Sequence, residues 1–138
     1  MTVLIIDGQG GSIGKQLVKA VCERFPGINV QAVGTNSIAT TSMLKGGNVD
    51  AATGENAVCV ACRKADVIIG PVGIVIADAL MGEVTPKMAT AVGQSNAVRI
   101  LIPMNKCDSL IAGLPNISTS ALLDDAMNKL EKVISANS

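Results

Sequence analysis

The 138-residue chain has no histidine, no tyrosine, no tryptophan and a single phenylalanine. Without histidine, the commonest general base and the commonest metal ligand are both missing. A Ser-His-Asp triad is excluded. Without tyrosine, the Tyr–Lys machinery of short-chain dehydrogenases is excluded as well. Charge is also scarce. Eleven basic and 11 acidic residues leave a formal net charge of zero. Nucleic acid is therefore not an expected partner, since it calls for a basic stripe and stacking aromatics. The longest uncharged apolar run, residues 67–77, is far shorter than the ~20 residues of a membrane span. No membrane partner is expected. The N-terminus enters a strand-like run at once, without a signal-peptide layout, and the expected location is cytoplasmic.

What is present is aliphatic. Hydrophobic residues make up 49% of the chain and charged residues 16%, with a mean hydropathy of +0.46. Buried parallel sheets are rich in such residues, and the excess points to a homo-oligomer. The length suits one domain over residues 1–138.

Short apolar runs at residues 3–6, 28–33, 49–52, 67–70 and 98–102 read as strands, the first of them fully buried. A sixth strand is expected over 109–112. Between them, Ile13, Leu17, Val21 and Phe25 recur every fourth residue until Pro26-Gly27 ends the helix. Further helices are expected up to Leu44, through Lys64, over 74–81, after Thr85-Pro86 and over 118–134. Alternating strands and helices predict an α/β protein. It is three-layered, Rossmann-like and doubly wound, with a mostly parallel sheet of five to six strands. Right-handed crossovers place loops 7–14, 34–37, 53–56, 70–73 and 103–107 on one edge, where such folds bind ligands.

The first of these loops is the most informative. Gly8, Gly11 and Gly14 form G-x-x-G-x-x-G, and Gly8, Gly10 and Gly14 fit the looser G-x-G-x-x-x-G. Such glycines turn the chain sharply, let a pyrophosphate approach the backbone, and let helix and strand pack closely. A P-loop fits poorly. Gln9 stands where its first glycine belongs, and Gln16 where its Ser or Thr belongs. Gly8, Gly10, Gly11, Ser12, Ile13 and Gly14 are thus candidate contacts for the phosphates of a nucleotide such as NAD or NADP. After the second strand, NAD binders carry an acid and NADP binders an Arg. Here Thr35, Asn36 and Ser37 are neutral. They suit a ribose, a terminal phosphate or a helix cap, so the cofactor stays open. Asp50 is placed on the adenine side, and Gly70, Pro71 and Gly73 at the middle of a dinucleotide.

Candidates for chemistry are few. Cys107 beside Lys106 follows the fifth strand, and Glu55 opens a helix on the ligand edge. Asp7, Asp78 and Glu83 are other carboxylates near that edge. Asp7, directly before the glycines, is expected to hold the loop by accepting its N–H groups. The C-x-x-C of Cys59 and Cys62 falls on an apolar helix face and reads as core, and no second such pair completes a zinc site.

The phrases "IDGQGGSIGKQL", "GTNSIATTSML", "ATGENA", "ADVIIGPVGIVIADALMGEVTP" and "NAVRILIPMNKC" together resemble a small bacterial family common in anaerobic Firmicutes. That family is catalogued as a domain of unknown function. The resemblance implies a Rossmann-like protein, assigns no activity, and includes Cys107 in its pattern. Three functions follow as expectations: a binding module without turnover, a small enzyme on a nucleotide-linked or phosphorylated substrate using Cys107, Lys106 or Glu55, or a structural subunit with an empty loop.

Overall fold

The computed structural model describes residues 1–104 and 109–137. The first strand, β1 (Thr2–Asp7), fixes the layering. Val3 and Ile5 pack into one core and Leu4 and Ile6 into another, and all four are sealed from solvent. A strand apolar on both faces needs helices above and below it.

Beside β1 lie β2 (Asn29–Gly34) and β4 (Val67–Pro71), with β3 (Asp50–Thr53) and β5 (Val98–Ile102) outside them. The order is β3-β2-β1-β4-β5, with every pair parallel. On one face, α1 (Ser12–Arg24), α2 (Ser37–Leu44) and α5 (Thr119–Ala136) supply Leu17, Val21, Met43 and Leu130 to the core. On the other, α3 (Glu55–Lys64) and α4 (Pro86–Gln94) supply Val58, Cys62, Met88 and Val92. This is a three-layer, doubly wound, Rossmann-like fold. Its strand order reverses between β1 and β4, next to the loop that leaves β1, and sheets of this kind bind their ligands at such a reversal.

Capping follows the sequence closely. Thr85 accepts the Met88 amide at 3.1 Å just ahead of Pro86. Asn36 caps α2 through the Ala39 amide, and Ser118 caps α5 through the Ala121 amide. Each side chain satisfies an amide that the helix itself leaves without a partner.

Two expected elements are absent. Residues 109–112 form no strand, so the described sheet has five strands. Leu110 there is 95% exposed. Residues 74–81 form no α-helix. A 3₁₀ turn over Val72–Val75 gives way to a loop in which Asp78, Leu80 and Met81 have φ of 65°, 56° and 57°. Left-handed residues cannot continue a right-handed helix. The loop closes on itself instead, with the Asp78 amide donating to Val84 O at 2.7 Å and the Val84 amide to Ala79 O at 3.1 Å. It buries Ile74 and Leu80 and leaves Met81 96% exposed.

Cys59 and Cys62 are buried within α3, as the apolar pattern predicts. Burial, with the Cys59 thiol beside it, pushes the Cys62 thiol up to about 11. That is the opposite of a redox-active thiolate.

Candidate functional site

The glycine loop rests on Asp7, the last residue of β1. Its Oδ1 accepts the Gly8 amide at 2.8 Å and its Oδ2 the Gly14 amide at 2.6 Å. The side chain is 3% exposed. Burial pushes its carboxyl above the usual range. The bonds from Gly14 and Gly8 oppose that rise, and the nearby Glu83 adds to it. Asp7 therefore performs the loop-holding role expected of it, at an electrostatic cost.

Two glycines are explained by packing. Gly11 sits at φ 74°, and a Cβ there would lie 2.7 Å from Ala39 O and 2.8 Å from Ala39 Cα. A Cβ on Gly14 would lie 2.6 Å from Met43 Sδ. These residues let α1 approach α2 and β1. Ile13, where the tighter fingerprint has glycine, sends its side chain into the core. Gly10 differs from both, because a Cβ there would meet nothing within 4 Å.

The amides divide in the same way. Gly11 donates to Gly8 O and Lys15 to Gly11 O. Among the described residues, the amides of Gly10, Ser12 and Ile13 have no acceptor. Ser12 and Ile13 open α1, where the helix supplies none. The donor set therefore fits an anion, the group that loops of this kind hold.

A second carboxylate reaches the loop from residues 76–84. Glu83 Oε1 accepts from the Gln9 amide at 2.8 Å, Thr35 Oγ1 at 2.8 Å and Asn36 Nδ2 at 2.7 Å. A Cβ on Gly8 would lie 2.6 Å from Thr35 Oγ1 and 3.1 Å from Glu83 Oε1. Burial disfavours the Glu83 charge. The bonds from Gln9, Thr35 and Asn36 outweigh it and hold the carboxyl below its usual range. Asn36 also donates to Gln9 O at 3.0 Å, so its amide is spent on the cap, the loop and Glu83.

The other candidates disperse. Ser37 is exposed and lines a cleft of about 330 Å³ with Gly10, Thr41, Ser42 and Lys45. Glu55 accepts from Thr85 Oγ1 at 2.6 Å, which ties α3 to the cap of α4. Gly70 allows close strand packing, since a Cβ there would lie 2.4 Å from Ile6 O. Pro71 and Gly73 are buried beside it. Asp50 lies away from the glycine loop along β3. It begins β3 opposite Gln31, three residues before Thr53 meets Gly34 at the ligand edge, which is about 10 Å of strand. Lys106 and Cys107 lie outside the described residues.

Residues 2–135 match the family described as a domain of unknown function (DUF3842). The chain belongs to that family. No curated protein matches its sequence. Among solved structures it is similar to a dodecameric FMN-dependent Ubix-like decarboxylase from Escherichia coli O157:H7. Identity is 19% over 96% of this chain and 76% of that one, with a TM-score of 0.48. Among the described residues, no helix is long and apolar enough to cross a membrane.

The convergence on Glu83 is the site feature that the sequence hides. Asn36 and Glu83 are 47 positions apart, and Glu83 reads only as one acid among several. Its sole signal is that it is the last acid before the Thr85-Pro86 helix start.

Proposed function

We propose that this member of the family is a non-catalytic binding module. It holds a phosphate of a nucleotide or an NAD(P)-like dinucleotide at the glycine loop, and works as a cytoplasmic homo-oligomer. The observation that carries this reading is the open side of the loop. Gly10 has empty space where a side chain would stand, and the amides of Gly10, Ser12 and Ile13 have no described acceptor. An anion there would meet three N–H donors and the positive end of the α1 dipole. The loop leaves β1 at the strand-order reversal, where such sheets place their ligands.

Gly10→Val tests this directly. Gly10 is not in the left-handed region and its surroundings are open, so the variant should fold. Its affinity for NAD, NADP, ATP or GTP, whichever the parent binds in calorimetry, should fall at least about tenfold. Unchanged affinity in the folded variant would refute the loop's role.

One observation favours a second reading, a bare structural turn. Gly8, Gly11 and Gly14 each have a packing reason to be glycine. That reading expects no thermal shift with any nucleotide.

A further inference from the structure

We propose that Glu83 reads the ribose beside the glycine loop, accepting from its vicinal hydroxyls through Oε2, so that the site takes nucleotides with a free 2′-hydroxyl and rejects 2′-phosphorylated ones. This rests on the reading of the loop as a nucleotide site. In dinucleotide-binding sheets the ribose acid stands at the end of the second strand. Here that position is filled by Thr35 and Asn36, both neutral. The charge is nonetheless present in space. Thr35 and Asn36 donate to Glu83 at 2.8 Å and 2.7 Å, and the Gln9 amide donates at 2.8 Å. The loop over 76–84 thus supplies the acid that the end of β2 lacks.

The way Glu83 is held leaves it able to act. All three donors converge on Oε1, and among the described residues Oε2 has no partner. A carboxylate is an acceptor only. It suits a pair of hydroxyls and repels an added phosphate. The loop that presents it passes through three left-handed non-glycine residues, Asp78, Leu80 and Met81. Conformations of that kind persist only where the surroundings enforce them. Here they are fixed by the loop's own bonds and by Leu80, which packs against Gly8.

The test is calorimetric titration of the full chain with NAD and with NADP. The parent should bind NAD at least about tenfold tighter than NADP. Glu83→Gln, checked for fold by thermal melting, should lose about tenfold in NAD affinity and bring the two ligands closer together. If that variant does not fold, the NAD-to-NADP ratio of the parent decides alone. NADP binding as well as NAD would overturn the inference and leave the loop reading standing. So would NAD affinity that is unchanged or tighter in folded Glu83→Gln, since tighter binding would mark the carboxylate as a repulsive plug. Failure of the parent to bind NAD, NADP, ATP or GTP would overturn the loop reading and this inference with it.

Discussion

Asp7 and Glu83 both accept amides of the glycine loop, yet they stand in different physical situations. Asp7 is 3% exposed and uses both oxygens on Gly8 and Gly14. Glu83 is partly exposed and uses one oxygen for all its bonds. Burial wins at Asp7 and raises its pKa, whereas hydrogen bonding wins at Glu83 and lowers it. Of two acids on one loop, the first is consumed in making the loop and the second keeps an acceptor for something else. The loop's glycines divide likewise. Gly11 and Gly14 serve packing, and Gly10 faces open space.

Breaking the buried side should do the most damage. Asp7→Ala strands two buried amides, and at about 2 kcal/mol for each stranded group the fold should lose about 4 kcal/mol in urea unfolding. Gly11→Val follows. A left-handed backbone and the clash with Ala39 together predict a loss of about 3 kcal/mol. Glu83→Ala should destabilise by only about 1 kcal/mol, because water can replace the partner of its half-exposed donors. Gly10→Val should change stability by less than about 0.5 kcal/mol while weakening ligand, which separates the two sides of the loop most cleanly.

The smallest effect is a pH dependence of opposite sign at the two acids. Glu83 has a folded pKa below its ordinary value of 4.5. Its stabilisation is present above that value and is lost as pH falls through the folded pKa. Asp7 has a folded pKa above its ordinary 3.8. It therefore stabilises the fold most below 3.8, and that contribution is lost as pH rises through the folded pKa. The stability gap between parent and Glu83→Gln should thus be widest near neutral pH and shrink in acid, as followed by urea midpoints.

Much of the fold is legible in the sequence because its signals are local. Continuous aliphatic runs mark β1 and β4, buried on both faces, while the edge strands β3 and β5 are more exposed, and Thr85-Pro86 marks a helix start to the residue. The loop over 76–84 is not legible. Its apolar residues mimic a helix, while the left-handed backbone at Asp78, Leu80 and Met81 leaves no trace in residue type. Asp50 stands at the start of β3, three residues before the ligand edge at Thr53. The glycine loop itself is read correctly as a turn after β1, but glycines demanded by packing and a glycine open to solvent look alike on paper. Glu83 is hidden for another reason. Its role depends on partners at Gln9, Thr35 and Asn36, which only the folded sheet brings to it.

In the proposed function, the open side of the glycine loop binds a nucleotide phosphate. This binding is tested most directly by amide NMR of the ¹⁵N-labelled chain titrated with NAD. Saturable shifts are expected at Gly10, Ser12 and Ile13, with those of α5 unmoved. Resonances of these three residues that stay fixed through millimolar NAD, NADP, ATP and GTP would contradict it.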